Sequence, residues 1–356
     1  MPKGKIHWSI TAAAVALITT TSIQSNAADK SLIDAAKKEG ALSYATNLFA
    51  PTSQKALQAT FRKKYDLPTS FKMKSYVTKS SAVVARVSQE LKAKNVTIDW
   101  VAVNIATFWG GLKKRGELLK YCSPEYKKLD LSAKLGLLDG GCLYQPVGTV
   151  SFGIIWNPKY VKEDITSWAQ LTNPKYKGQL IFGDVRKSGS YLDTYIGLRR
   201  NNIWTDAFLD KIKAQEPFFD VRSTSIRDKV MTGEFPIAIF GYAPRAYQVR
   251  TKAKIKTVLP SEGVVVGGNY GGILKAAPNP NAAKLWTEFL FSKEGQELLM
   301  KYEAVVSMRS DAVPVAEVAP YMPDVTKLKA AKLDWAGLTK ASRDKMRAEF
   351  RGRFGN

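Results

Sequence analysis

Between residues 41 and 103 short apolar runs alternate with segments of helical spacing, and this alternation restricts the possible folds more than any other feature of the chain. Ala41 to Ala45 reads as a strand, and a helix follows the loop at 46–52 and runs to about Lys64. Ser70 to Tyr76 is a second strand. Ser80 and Ser81 open another helix, with Val83, Val87 and Leu91 four residues apart, and Ile98 to Val103 is a third strand. Strand and helix in this order mean a parallel sheet with helices on its faces, an α/β fold. A short helix from Ser31 to Lys38 precedes them, with Ser31 three residues before Asp34 and Gly40 as its stop.

The pattern loosens from Cys122 to Pro146 and resumes with a strand at Gly148 to Asn157. Further strands are expected near Leu180, Ile237 and Val258, with helices near Tyr191, Ala207, Ile226 and Ala246. A glycine-rich strand pair covers Val264 to Leu274, and the chain from Asn281 onward reads as mostly helical. With 356 residues and 45% apolar content, the chain can build about two domains with real cores.

Residues 1–27 read as an export leader rather than as part of that fold. Lys3 and Lys5 precede an apolar run from Ile10 to Ile18, and Ser25-Asn26-Ala27 fits the small-x-small rule for cleavage before Ala28. The run is shorter than the roughly 20 residues a membrane span needs. The leader also contains His7, the only histidine, so the mature chain would have no imidazole for acid–base or metal chemistry. Ser-His-Asp and His-Glu-x-x-His designs are excluded with it. The expected compartment is the periplasm. Cys122 and Cys142 are the only cysteines, and an even pair in an exported chain points to a disulfide, with two buried free thiols as the alternative. The formal charge is +23, of which Lys3 and Lys5 carry two. The lysines are spread along the chain, and export argues against a nucleic-acid partner. The charge is either a solvated basic surface or a field that draws small anions toward a cleft.

Several segments together resemble the extracellular solute-binding proteins of ABC importers, in the branch that includes ferric-iron, phosphonate and other small-anion binders. The strongest is Lys275-Ala276-Ala277-Pro278-Asn279-Pro280-Asn281-Ala282-Ala283-Lys284, followed by Phe289-Leu290 and Ser292-Lys293-Glu294-Gly295-Gln296. Ser167-Trp168-Ala169-Gln170-Leu171 with Lys175-Tyr176-Lys177-Gly178, and the opening Ala35-Ala36-Lys37-Lys38-Glu39-Gly40, are similar to further family segments. In physical terms, Pro278 and Pro280 end a strand and set up a helix start with Asn279 or Asn281 as cap, while Trp168 and Leu171 anchor a short helix to a core. The resemblance implies a type II, transferrin-like binding protein: two α/β lobes, two crossover strands as hinge, and a ligand clamped between. The first crossing is expected near Val147 to Val150 and the second near Ser261 to Gly267. Lobe one would comprise 28–147 and 266–356, and lobe two 148–265. It further implies a monomer, no cofactor, no enzymatic step, and an inner-membrane ABC permease as partner. A sensor subunit for a signalling receptor is the rival of another class.

In open α/β sheets ligands sit beyond the carboxyl ends of strands, often at helix starts. The loops in that position contain Thr46 and Asn47, Ser80 and Ser81, Arg186 with Ser188, Gly189 and Ser190, then Arg222, Ser223 and Thr224, and finally Tyr242 and Tyr270, the latter within Asn269-Tyr270-Gly271. Arginine, hydroxyls and helix amides suit an anion. Each also has a plainer reading. Ser80, Ser188 and Ser225 are good N-caps, Arg186 and Arg222 could be surface charges, Arg245 surface or rim, and the tyrosines half-buried core. Ferric binders of this branch usually have two adjacent tyrosines where this chain has Tyr242-Ala243, which weighs against free iron.

Overall fold

The structure is a computed structural model that describes Met1 and residues 29–323, 328–331, 333 and 338–355. The expected leader falls outside the described residues apart from Met1. Twelve α-helices are described: α1 Lys30–Glu39, α2 Pro51–Lys64, α3 Ser80–Lys92, α4 Ala106–Arg115, α5 Asp130–Lys134, α6 Gly189–Arg200, α7 Asp206–Ala214, α8 Ser223–Thr232, α9 Ala243–Gln248, α10 Pro280–Phe291, α11 Lys293–Glu303 and α12 Lys340–Phe354. The eleven described strands are β1 Ala41–Thr46, β2 Lys72–Val77, β3 Trp100–Val103, β4 Gln145–Ser151, β5 Gly153–Trp156, β6 Leu180–Gly183, β7 Phe218–Asp220, β8 Ile237–Gly241, β9 Lys256–Val258, β10 Val264–Ile273 and β11 Ala330–Ala331.

They form two sheets, one for each of the two lobes that the resemblance implies. The first runs β11-β10-β3-β1-β2 with β4 on β10, and the second runs β7-β6-β8-β5-β9. β1, β2 and β3 pair in parallel, as do β6, β7 and β8, while β10 runs antiparallel to both β3 and β4. The run expected as one strand over Gly148 to Asn157 is two strands. β4 ends in the first sheet at Ser151, and β5 begins in the second at Gly153, so the chain changes lobes at Phe152. The return runs from β9 into β10. The glycine-rich pair expected over Val264 to Leu274 is instead one long strand, because its glycines let it lie flat against neighbours. A Cβ at Gly271 would come within 2.4 Å of the Trp100 ring, and one at Gly272 within 2.8 Å of the Leu143 carbonyl.

Each lobe packs around aromatic side chains. In lobe one Trp286 of α10 stacks on Tyr44 at 5.3 Å and meets Phe61 edge-on at 5.0 Å. In lobe two Trp204 stacks on Phe240 at 5.0 Å, and Trp168 meets Trp204 edge-on at 5.1 Å. Trp168 is also tied by its indole N–H to the Gly263 carbonyl, 2.9 Å away. Helix starts are often served by acids far away in sequence. The α10 start has no cap from Asn279. Glu39 takes the Asn281 and Ala282 amides at 3.0 and 2.7 Å instead, joining α1 to α10.

The lobe boundaries drawn from sequence fail at the C-terminus. α12 packs on lobe two, not lobe one: Phe350 meets Phe182 at 5.6 Å and Tyr195 at 5.2 Å, and Arg343 pairs with Asp193. The aromatic face of α12 finds its apolar partners there. The segment after α11 therefore makes a third passage between lobes. Its first part is braced by α9 and the turn after it, where Tyr247 meets Tyr321 edge-on at 5.4 Å and Arg250 pairs with Glu317, while the Tyr247 hydroxyl donates to the Lys301 carbonyl of α11 at 2.7 Å. A disulfide joins Cys122 to Cys142 and closes the loose stretch between them. On the chain-entropy model a loop of that size contributes about 3 kcal/mol.

Candidate binding cleft

The carboxyl ends of β1, β3, β6, β7 and β8 open on a cavity of about 350 Å³ between the lobes. A larger cavity of about 430 Å³ lies behind the crossing strands, lined largely by apolar groups such as Ile154, Leu259 and Met322. The cleft is the better candidate because strand ends and helix starts converge on it, where polar backbone groups are left to be satisfied.

On the lobe-two wall stand Ser188, Ser190, Tyr191, Ser223, Tyr242, Arg245 and Gln248. Ser188 caps α6, accepting weakly from the Tyr191 amide at 3.4 Å. The Ser190 hydroxyl and the amides of Gly189, Ser190, Ser223 and Thr224 have no partner shown among the described residues. Asp220 takes the Arg222 amide and the Ser225 hydroxyl just outside. Arg245, placed by Pro244 in the first turn of α9, is steadied from two sides: its Nε donates to Ser223 Oγ at 3.2 Å and a terminal nitrogen to Gln248 Oε1 at 3.0 Å. Burial pushes the Tyr242 phenol up to about 12, with Arg245 pulling down and Glu303 pushing up, so it is a neutral donor at physiological pH.

The lobe-one wall carries Asn47, Asn104, Asn269 and Glu303. Asn47 accepts from Asn269 Nδ2 at 3.4 Å, and Asn104 accepts from the Ser80 hydroxyl at 2.7 Å. Glu303, at the end of α11, reaches the start of α2, where one carboxylate oxygen accepts from the Ala50 amide and the Ser53 hydroxyl. That helix has no N-cap side chain of its own. Burial raises the Glu303 carboxyl above its usual range, against the opposing pull of Ser53, Ala50 and Arg245.

Of the residues expected from sequence, the cavity collects Asn47, Ser188, Ser190, Ser223 and Tyr242. Thr46 is fully buried and its hydroxyl accepts from the Leu48 amide at 3.0 Å, shaping the loop that presents Asn47. Ser80 is off the lining and donates to Asn104, while Ser81, Gly189, Arg222 and Thr224 are exposed and not on the lining. Tyr270 is buried beside a small recess below the cleft and meets Tyr144 edge-on at 5.3 Å. Arg186 is turned away altogether. Its guanidinium holds Asp184 at 2.8 and 3.2 Å, donates to the Gly355 carbonyl at 2.9 Å and lies over Phe219 at 4.5 Å. Arg245 holds the place in the cleft that sequence offered to Arg186. The signal available was Asp184 two residues before Arg186, a carboxylate close enough to fold it back. Asn104 and Glu303 were not singled out. Asn104 does follow a strand directly, as a loop ligand would, but nothing local marks Glu303.

A family model described as bacterial extracellular solute-binding protein matches residues 56–331. A curated Haemophilus influenzae protein, itself described as uncharacterized, is 29% identical over 180 residues, 49% of this chain and 51% of that one, so the match spans about half the length of that relative. Among solved structures, the periplasmic binding protein AfuA from Actinobacillus pleuropneumoniae, with fructose-6-phosphate bound, is 22% identical and overlays with a TM-score of 0.64 over 88% of this chain and 98% of that one. The substrate-binding protein of an ABC transporter from Agrobacterium tumefaciens is 14% identical, with a TM-score of 0.69 over 88% and 94%. Iron-bound HitA from Pseudomonas aeruginosa is 17% identical, with a TM-score of 0.62 over 87% and 98%. At these identities the solved structures speak for the fold, and the matched model for the family. The chain belongs to the bacterial extracellular solute-binding proteins and has the two-lobed fold of the periplasmic binding proteins that serve ABC transporters.

Proposed function

We propose that the protein captures a small anion in this cleft in the periplasm, after export behind a leader of residues 1–27, and delivers it unchanged, as a monomer, to an ABC permease. The observation that carries the reading is Arg245, held at the cavity by Ser223 and Gln248, beside serine hydroxyls and the free amides at the starts of α6 and α8. An anion there gains charge-assisted hydrogen bonds and two favourable helix dipoles. Without Lys3 and Lys5 the formal charge of +23 becomes +21, and a field of that sign favours the approach of anions. Hinge closure over Phe152 and the β9–β10 connection would bring the lobe-one wall onto the guest and give the permease a shape to read. The solved relatives bind fructose-6-phosphate in one case and iron in another. A phosphate ester suits the lobe-two wall. Iron suits it less, since Ala243 follows Tyr242 and, among the described residues, no group of three or more His, Cys, Asp or Glu could hold a metal ion.

The test is a set of thermal melts on mature protein stripped under denaturant and refolded, against phosphate esters, phosphonates, carboxylates and ferric citrate. A bound anion at about 100 times its Kd stabilises by about 2.7 kcal/mol, and is recovered unaltered. A shift with ferric ion alone, accompanied by colour, replaces the anion reading.

A further inference from the structure

The two walls of the cleft differ in charge, with Arg245 on lobe two and Glu303 on lobe one. Lobe two presents the Arg245 guanidinium, the Ser190 hydroxyl and the amides of Ser190 and Ser223. Lobe one carries the side-chain amides of Asn47 and Asn104, whose oxygens are already engaged, and adds a carboxylate acceptor that lobe two lacks at the cavity. Glu303 spends one carboxylate oxygen on Ala50 and Ser53, and its second oxygen has no partner shown among the described residues. Asn269 is 2% exposed and lines the same cavity, and its Oδ1 is buried with no hydrogen-bond partner. A buried carbonyl without a donor is costly, so a donor brought within its reach as the cleft closes on a guest is favoured. Arg245 and Glu303 influence each other's side of the cavity electrostatically, yet no ion pair joins them. The gap between them is a slot for a molecule with two different ends.

Resting on the anion-capture reading above, we propose that Glu303 and Asn269 make the cleft selective for bifunctional solutes. The anionic head goes to Arg245 and the lobe-two serines, and a tail carrying hydroxyl or ammonium donors goes to the lobe-one acceptors. Glu303 is then a specificity residue. By filling the start of α2 with a carboxylate it denies that helix to the anionic head and fixes the guest's orientation. Anions without a donor tail leave Asn269 Oδ1 and the free Glu303 oxygen unsatisfied in the closed cleft, and are rejected on that account.

Three phosphonates of matched size test this by titration calorimetry on the mature protein: 2-aminoethylphosphonate, 2-hydroxyethylphosphonate and n-propylphosphonate. The amino and hydroxy compounds are expected to bind at least about tenfold tighter than the propyl compound. A lead for the amino compound over the hydroxy compound assigns the tail as a cation, and parity between them assigns it as a neutral donor; both support the proposal. Glu303→Gln, which keeps an acceptor for Ala50 and Ser53, should reduce the amino-to-propyl ratio to below about threefold, with an unliganded melt as the control for folding. Equal binding of all three by the unmodified protein overturns the proposal and leaves anion capture standing. Binding of none of the three, with a response to ferric ion, overturns both.

Discussion

At the start of α2, on the lobe-one wall, the protein has already placed a carboxylate of its own, Glu303. At the starts of α6 and α8 on the facing wall, the amides of Ser190 and Ser223 have no partner shown among the described residues, and an arginine stands beside them. A helix start favours negative charge in either place. On the proposed anion-capture reading, the difference says where the negative charge of a guest would go, since only the lobe-two wall has room for it. It also separates two kinds of polar residue that look alike in a sequence: those that finish the fold and those kept in reserve for a ligand.

Arg186 and Arg245, both in lobe two, provide the sharpest way to break the comparison, and the largest effect is expected at Arg186. Its side chain is 10% exposed and that of its partner Asp184 is 5% exposed, so Arg186→Ala leaves a buried carboxylate without its counter-ion. A loss of about 3 kcal/mol of stability is expected in chemical denaturation, with anion affinity little changed. The reverse result, normal stability and lost binding, would return Arg186 to the site and dissolve the distinction. Arg245→Ala should do the opposite. It removes a charge-assisted contact at a partly exposed position, so anion affinity falls roughly 10- to 100-fold while the unliganded melt moves little. An Arg245→Ala protein that binds its anion normally would leave the lobe-two wall without its defining group.

These two arginines also mark how far the sequence could be read. Strand and helix from Ala41 to Val103 follow from patterns a few residues long, so the order of elements in lobe one was legible. So was the anchoring of lobe two by Trp168, whose indole reaches Gly263 across 95 residues but whose burial any tryptophan in an apolar segment suggests. What could not be read depends on distant partners. Glu303 sits at the end of an ordinary amphipathic helix, and its role is set by Ala50 and Ser53, some 250 residues earlier. The same holds for α12, a strongly basic helix whose few aromatic residues, Phe350 and Phe354, bind it to lobe two. Phe152 turned one expected strand into two because the change of sheet is a property of the whole molecule, not of residues 148–157. The loops of the site were found by topology, but which side chains turn inward was decided by neighbours such as Asp184.

The smallest expected effect is a difference in pH response between the walls. In lobe one burial raises the Glu303 carboxyl above its ordinary value. In lobe two burial also acts to raise Asp220, but hydrogen bonds from the Arg222 amide and the Ser225 hydroxyl outweigh it and hold that carboxyl below its ordinary value. The signs follow from proton counting. Between the unfolded value of Glu303 and its raised folded value, the folded protein holds more protons, so this residue's contribution to stability falls as pH rises through that window. Asp220 contributes stability that is present above its unfolded value and lost as pH falls through the depressed folded one. Glu303→Gln removes the first slope, so its melting temperature relative to the unmodified protein should climb as pH goes from about 4 to about 7. Ser225→Ala weakens the hold on Asp220, so its deficit should be greatest at neutral pH and shrink on acidification. If the Glu303→Gln difference stays flat from about pH 4 to about 7 and the Ser225→Ala difference stays flat as pH falls below about 4, the two carboxyls are equivalent in the folded protein, and the walls differ in shape but not in their response to charge.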